Sequence, residues 1–109
     1  MVMKMKCLNF KKKYRNLLKK GAKVATLRMG IKNYKEGEIV KIVAGGETIG
    51  KAKILEVRKL RWKEVKRKDV LMEGIKRKKD LEKELKAIYG NFGKNKIFTQ
   101  IIFEVLEEE

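Results

Sequence analysis

The most constraining feature of this sequence is a hairpin whose second strand changes phase. Residues 39–44 are apolar apart from one lysine and run into Gly-Gly at 45–46, a strong turn signal. In the returning segment, residues 47–59, apolar side chains stand at even positions 52 and 54 and then at odd positions 55 and 57. One extra residue at a β-bulge would account for this change and would bend the strand. Because strong bending lets a small sheet close on itself, the pattern predicts a small barrel.

Hydrophobic periodicity predicts further strands and a helix around this hairpin. Strands are predicted at residues 4–10, 24–29 and 96–106. The last of these places alternate residues on one face, namely Ile97, Thr99, Ile101, Phe103 and Val105. Residues 10–20 carry an apolar stripe at helical spacing, made of Phe10, Tyr14, Leu17 and Leu18. The stripe predicts an amphipathic helix that Gly21 ends.

The segment from residue 61 to residue 90 is predicted to be mainly helical. Asp69 is expected to cap a helix that runs through Met72, and Asp80 is expected to cap a second one. The second helix carries the apolar stripe Leu81, Leu85, Ile88 and Tyr89. Residues 107–109 form an acidic tail. The order of elements predicts an α+β fold, one domain over residues 1–109, built on a small mixed β-barrel of about five or six strands with inserted helices.

Composition excludes several kinds of chemistry. The chain has a single cysteine, Cys7, and neither His nor Ser. An intramolecular disulfide, a zinc site of the usual Cys/His kind and a Ser-His-Asp triad are therefore excluded, and we expect no metal and no cofactor. We find neither an apolar run of about 18 residues nor a hydrophobic signal core at the start, and we predict a cytoplasmic protein without membrane contact. The Lys and Glu bias, with a single Gln, is typical of hyperthermophile proteins.

The basic charge is concentrated near the N-terminus. The first 35 residues contain no Asp or Glu but ten Lys and two Arg, so they carry +12 of the chain's +16. A field of this kind attracts polyanions, and the phosphate backbone of RNA or DNA is the first partner to consider. The expected contacts are Lys11, Lys12, Lys13, Lys19, Lys20 and Arg28. The alternatives are a generally lysine-rich thermophile surface and a basic face that docks on an acidic protein.

The only tryptophan, Trp62, lies between basic residues. If it is exposed, its ring could stack on a base of a bound nucleic acid. The alternative is that Trp62 anchors a helix to the barrel.

An ordered set of short motifs resembles the ASCH domain, a member of the PUA-like β-barrel superfamily. The motifs are residues 21–28 (Gly-Ala-Lys-Val-Ala-Thr-Leu-Arg), 37–40 (Gly-Glu-Ile-Val), Gly45-Gly46 with 49–52, Glu73-Gly74, Leu81 with Tyr89, and 102–105 (Ile-Phe-Glu-Val). Together they span nearly the whole chain. The resemblance implies a barrel with a basic cleft beside two helices, and an RNA-binding domain that acts in RNA or modified-nucleoside metabolism.

One branch of that family gives an alternative function. Its members resemble small amidohydrolases that deacetylate acetylcytidine, with a Lys, a Thr three positions on, and a distant Glu followed by Gly. Lys23, Thr26 and Glu73 match this pattern. The resemblance implies that Thr26 is the nucleophile, Lys23 its activating base and Glu73 an acid or orienting group.

A geometric condition applies to this assignment. Residues three apart in a flat strand point to opposite faces, so the segment after Gly21 would have to turn or bulge for Lys23 and Thr26 to meet. The alternative is that Lys23 is solvated and that Thr26 is an ordinary strand residue. Glu73 would then be a surface residue at the end of a helix or a salt-bridge partner for Arg28.

Overall fold

Within residues 5–106, five strands form one mixed sheet. They are β1 (Cys7–Phe10), β2 (Ala25–Met29), β3 (Ile39–Ala44), β4 (Glu47–Arg61) and β5 (Ile97–Val105). The structure, a computed structural model, describes residues 5–106. The strand order is β1-β3-β4-β5-β2, with β1 parallel to β3 and every other pair antiparallel. The sheet curls into a half-barrel whose two edges are β1 and β2, and the predicted α+β class is confirmed.

Three short helices complete the fold in the described part of the chain. They are α1 (Arg15–Lys19), α2 (Arg67–Met72) and α3 (Lys78–Tyr89), with 3-10 turns at Lys12–Tyr14 and Trp62–Glu64. Within residues 5–106, no helix combines the length and the apolar character needed to cross a membrane. The predicted strand residue Lys4 and the acidic tail at 107–109 lie outside the described residues.

The predicted bulge lies in β4 at Leu55. The pairing of β4 with β5 shifts register between Ile54 and Glu56. The Leu55 side chain is 47% exposed, whereas Ile54 is fully buried. A second register shift was not predicted: Ile42 of β3 pairs with Gly50 and Val43 pairs with Thr48. The two shifts bend the hairpin that forms the middle of the half-barrel.

The sheet buries apolar side chains on both faces. The cluster inside the half-barrel includes Leu8, Leu18, Val40, Ile42, Ile54, Ile101 and Phe103. The second cluster joins the sheet to the helices and includes Leu27, Leu60, Trp62, Val70, Leu81, Leu85 and Phe98. The predicted alternation of β5 is present, because its pairing with β2 runs without a register shift. The predicted face is exposed at its beginning, where Ile97 is 38% exposed, and Phe98 on the opposite face is fully buried. The reason is that α2 and α3 cover the second face, so both faces of β5 contact a core.

The predicted N-terminal helix is shorter than its apolar stripe indicates. Phe10 ends β1, pairs with Ala44 and accepts a hydrogen bond from the Gly45 amide at 3.0 Å. The chain therefore remains a strand paired with β3 up to Phe10, although the helical periodicity of the sequence already begins there. The remaining stripe residues lie on the 3-10 turn and on α1.

Asp69 and Asp80 are not the N-caps that the sequence predicts. Each is the third residue of its helix, because α2 and α3 begin before these aspartates. Asp69 Oδ2 accepts a hydrogen bond from the Lys66 amide at 2.8 Å, and Asp80 Oδ2 accepts one from Arg77 Nε at 2.9 Å. A carboxylate in the first turn still stabilises a helix, since backbone N–H groups there have no partner within the helix.

Asp69 also fastens α2 to the sheet. Its Oδ1 accepts a hydrogen bond from Gln100 Nε2 of β5 at 3.0 Å, and both residues are almost fully buried. Burial alone would raise the pKa of Asp69, but the hydrogen bonds from Gln100 and the Lys66 amide, with the charges of Arg58 and Lys68, lower it overall. The ionised form of Asp69 therefore holds α2 against β5.

We predict that Asp69→Asn destabilises the fold in a pH-dependent manner. An amide offers one acceptor oxygen in place of two, so the expected loss in the free energy of unfolding is about 2 kcal/mol at neutral pH. Because the pKa of Asp69 is lowered on folding, its contribution is present above the ordinary aspartate value of about 3.9 and is lost as pH falls through the folded-state value. Denaturant unfolding of wild type and Asp69→Asn at several pH values should show that the difference in their free energies of unfolding shrinks as pH falls.

The matched control is Asp80→Asn. Asp80 occupies the same third position in α3 but is exposed, so its substitution should change stability by no more than about 0.5 kcal/mol. A difference between wild type and Asp69→Asn that does not vary with pH would contradict the role given to the ionised carboxylate.

Candidate active site

A pocket of about 330 Å³ opens at the edge of the half-barrel, beside β2 and beneath α3. Its lining combines polar and charged residues (Asn9, Lys11, Lys23, Thr26, Arg28, Glu73 and Glu84) with apolar and aromatic ones (Phe10, Tyr14, Leu27, Leu81, Leu85, Ile88 and Tyr89). The volume falls in the range of small-molecule sites, roughly 300–1,000 Å³. The three residues of the predicted Lys, Thr and Glu set all line this pocket.

The backbone between α1 and β2 turns, which meets the geometric condition for Lys23 and Thr26 to line one pocket. The amides of Ala22 and Lys23 both donate to the Leu17 carbonyl, at 2.8 and 3.1 Å. The Val24 amide then donates to the Met72 carbonyl of α2 at 2.8 Å. The regular strand begins only at Ala25. Lys23 therefore precedes the strand that carries Thr26, and strand alternation does not separate the two side chains.

Lys23 and Glu73 form a buried ion pair. Lys23 Nζ donates to Glu73 Oε1 at 2.7 Å and to the Glu73 carbonyl oxygen at 2.9 Å. The two residues are only 2% and 4% exposed. Removing both charges from water costs several kcal/mol per ion, and such a pair is often no better for stability than apolar residues of similar volume. The pair is therefore a candidate functional group.

The structure shows why a glycine, Gly74, follows Glu73. This glycine ends α2 with a φ of +80°, and a Cβ there would lie 3.2 Å from Leu17 Cδ1 and 3.5 Å from Lys23 Cβ. A residue with a side chain at this position would crowd Leu17 and would adopt a strained backbone conformation, whereas its contact with Lys23 would be ordinary.

The Glu73 carboxylate is held in an unusual electrostatic setting. Burial raises the pKa of Glu73, although the Lys23 ammonium, the Leu27 amide and the Arg28 charge all oppose the rise. Glu73 Oε2 is buried and has no hydrogen-bond partner. A carboxyl group with a raised pKa can accept a proton from a neighbouring ammonium more readily than an ordinary glutamate can. The Glu73 carboxyl group is therefore a candidate proton acceptor inside the pocket.

Aromatic rings form one wall beside the ammonium group. Lys23 Nζ lies 4.5 Å from the centroid of the Tyr14 ring and 5.6 Å from that of Phe10. The Tyr14 hydroxyl donates to Glu84 Oε2, and Lys13 Nζ lies 2.6 Å from Glu84 Oε1. Burial, and after it the hydrogen bond to Glu84, raises the pKa of Tyr14. Burial disfavours the ionised form of Glu84, but Lys13 and Tyr14 outweigh this effect, so the pKa of Glu84 is lowered. Tyr14 therefore stays a neutral hydrogen-bond donor over a wide pH range.

Thr26 and Arg28 lie on the same face of β2 and contact each other. Arg28 Nε donates to Thr26 Oγ1 at 3.1 Å. Arg28 Nη2 donates to the Asn9 carbonyl of β1 at 2.8 Å, and the guanidinium carbon lies 5.2 Å from the Phe10 ring centroid. Arg28 thus crosses the gap between the two edge strands.

The other predicted nucleic-acid contacts are dispersed. Lys11, Lys12 and Lys13 are exposed, and Lys11 lines the pocket. Lys19 and Lys20 are exposed too, but they line a separate, mostly apolar groove next to Leu55.

Trp62 anchors the helical region, which is the alternative that the sequence left open for it. Its side chain is 6% exposed and packs against Phe92 and Phe98, with ring centroids 5.5 and 6.1 Å apart. A ring buried in this way is not available for stacking on a base.

Glu84 was not predicted from the sequence, and Tyr14 was expected only as a member of the apolar stripe at residues 10–20. The signal for Glu84 was its position three residues after Leu81 and next to Leu85, which places an acid on the buried side of α3. The described residues include no group of three or more acidic, Cys or His side chains placed to hold a metal ion.

We predict that the Lys23–Glu73 pair is strongly coupled in stability. Lys23→Met or Glu73→Gln alone should each lower the free energy of unfolding by about 3–5 kcal/mol, because each leaves one buried charge uncompensated. The double variant should recover most of that loss. Denaturant unfolding of the four proteins measures the coupling, and simple additivity of the two losses would contradict it.

Comparison with known proteins places the fold. No protein-family model and no curated protein sequence matches the chain. Among solved structures, a DUF984 protein from Enterococcus faecalis V583 matches with a TM-score of 0.73 and 18% identity, over 97% of this chain and 83% of that one. An ASCH domain from Lactobacillus crispatus matches with a TM-score of 0.65 and 16% identity, over 89% and 79%.

A mutant ASCH protein from Zymomonas mobilis also matches, with a TM-score of 0.62 and 12% identity, over 90% of this chain and 67% of that one. Identities this low establish a common fold and carry no conclusion about activity. These similarities show that the chain has an ASCH-like fold.

Proposed function

We propose that this domain is an amidohydrolase that removes a short acyl group from the exocyclic amine of a nucleoside base, with acetylcytidine as the first substrate to test. The observation that carries the proposal is the Lys23–Glu73 pair, which is buried in the same pocket as the Thr26 hydroxyl. A hydroxyl nucleophile, a nearby amine and a carboxyl group with a raised pKa are the components of acyl transfer.

The reaction begins with proton movement inside the ion pair. The Lys23 ammonium passes a proton to Glu73, and the resulting amine removes the proton from Thr26 Oγ1. The oxygen attacks the carbonyl carbon of the amide, and the C=O electron pair moves onto the carbonyl oxygen. When the tetrahedral species collapses, the C–N bond breaks and the Lys23 ammonium returns a proton to the leaving amine. Water then hydrolyses the threonine ester, which releases the carboxylic acid and restores the Thr26 hydroxyl, and Glu73 returns its proton to Lys23.

The pocket suits a flat, partly polar ligand. Phe10 and Tyr89 supply aromatic surface, and Leu81, Leu85 and Ile88 of α3 supply apolar surface. The buried Glu73 Oε2 has an unused acceptor site that an N–H group of a base could fill.

We predict that acetylcytidine is converted to cytidine by this protein and that the conversion depends on Thr26. Thr26→Ala should abolish turnover, and Lys23→Ala should lower it by about 10²–10⁴-fold, because the general base is lost. Chromatography of cytidine released at elevated temperature measures the reaction.

The matched control is Thr48→Ala, which removes an exposed threonine of β4. That variant should keep full activity, and thermal unfolding should confirm that the Thr26 and Lys23 variants are folded. Turnover that persists in folded Thr26→Ala would overturn the nucleophile assignment, and no turnover by wild type would overturn the proposed activity for this substrate.

A second function, RNA binding, is supported by the charge distribution. The first 35 residues carry +12, and Lys11, at the rim of the pocket, is followed by exposed Lys12 and Lys13. Lysines that neutralise phosphates release counterions, so the logarithm of the affinity should fall linearly with the logarithm of the salt concentration.

We predict that charge reversal of Lys11, Lys12 and Lys13 to Glu weakens binding to single-stranded RNA of every sequence alike. The salt slope should fall by about 0.7 for each phosphate that the variant no longer neutralises. Fluorescence anisotropy over a salt series measures both quantities. Reversal of Lys41, Lys51 and Lys53, which are exposed on β3 and β4, changes the net charge equally and should weaken binding less. An affinity that is independent of salt would refute this function.

A further inference from the structure

We infer that Arg28 is a positioning residue for Thr26, fixing the direction of the Thr26 hydroxyl proton and favouring negative charge on Oγ1. This inference rests on the role of Thr26 in the proposed function. It differs from the sequence-based expectation for Arg28, which was direct contact with nucleic acid.

The first step is the direction of the hydrogen bond. A threonine hydroxyl donates one hydrogen bond and accepts two, whereas a guanidinium group only donates. Arg28 Nε lies 3.1 Å from Thr26 Oγ1, so the oxygen is the acceptor of this bond. The hydroxyl proton must therefore point away from Arg28. The other titratable groups of the pocket lining are Lys11, Lys23, Glu73, Glu84 and the Tyr14 and Tyr89 hydroxyls.

The second step is charge. The guanidinium group is always protonated in proteins and lies next to the oxygen that becomes more negative as its proton leaves. Within residues 5–106, no carboxylate forms an ion pair with Arg28. Its positive charge also acts on Glu73, but without a direct ion pair among the described residues it can stabilise an anionic Oγ1, as preorganised donors do at other acyl-transfer sites.

The third step is rigidity. Arg28 Nη2 donates to the Asn9 carbonyl at 2.8 Å, and the guanidinium group packs on the Phe10 ring at 5.2 Å. Both contacts come from β1, on the opposite edge of the half-barrel. The position of Nε is thus set by the protein before any substrate binds, and this preorganisation avoids a cost during the reaction.

The kinetic test compares Arg28→Gln and Arg28→Lys with wild type. Loss of one preorganised donor predicts a fall in kcat of about 10²-fold for Arg28→Gln, with little change in KM. Arg28→Lys restores charge but not the planar geometry, so it should recover part of the rate. Arg67→Gln, which removes an exposed arginine of α2, is the matched control and should retain wild-type kinetics.

A second measurement separates this inference from the proposed function. Wild type and Arg28→Gln are treated with p-nitrophenyl acetate, quenched in acid and mapped by peptide mass spectrometry, which distinguishes acetyl-Thr26 from acetylated lysines. The expected result is Thr26 labelling in wild type and at least about tenfold less in Arg28→Gln. This pattern would support the inference even if acetylcytidine is not turned over.

Three outcomes would overturn the inference. They are equal labelling of Thr26 in the two proteins, no labelling of Thr26 in wild type, and a rise in KM with unchanged kcat in Arg28→Gln. The last would mean that Arg28 binds the substrate directly.

Discussion

The buried contact between Lys23 and Glu73 constrains the two segments that form the site. An ammonium and a carboxylate that have both lost water must be held at hydrogen-bonding distance, since either one alone inside the protein is strongly unfavourable. The two charges belong to separate segments, the turn after α1 and the end of α2. These segments are joined by the bond from the Val24 amide to the Met72 carbonyl, and α2 is fastened to β5 through Asp69 and Gln100. The ion pair thus depends on buried polar contacts that reach back to the sheet.

The open edge of the half-barrel provides the space for the site. β1 and β2 end the sheet on opposite sides and are not paired with each other. Backbone at such edges is available for contacts other than a strand ladder. Here the Asn9 carbonyl of β1 accepts a hydrogen bond from the Arg28 side chain of β2. A side-chain bridge between two edges leaves room for a pocket beneath it, which a fully closed barrel of this size would fill with side chains.

Local sequence patterns predicted the elements that depend on local interactions. The hairpin at residues 45–46 was predicted from the Gly-Gly turn signal, and the bulge at Leu55 from the change of phase in the neighbouring apolar residues. Lys23, Thr26 and Glu73 were picked out through a family resemblance, not through their spacing. The burial of Phe98 and the acceptor role of Glu84 depend on α3 packing over the sheet, a long-range contact that no local pattern contains. For the same reason Trp62 could be assigned to the core only once its neighbours Phe92 and Phe98 were known.

The formal charge of the N-terminal segment overstates the surface that it offers to a polyanion. Lys23 forms a buried ion pair with Glu73, Lys13 pairs with Glu84, and Arg15 pairs with Glu47. Lys11 differs, because it is exposed and lines the pocket at the same time. A strand held by phosphate contacts at this rim would present its bases within reach of the pocket, because consecutive nucleotides keep backbone and base only a few bonds apart. The two proposed functions therefore do not compete for space, since a polynucleotide could be held outside while one of its bases occupies the pocket.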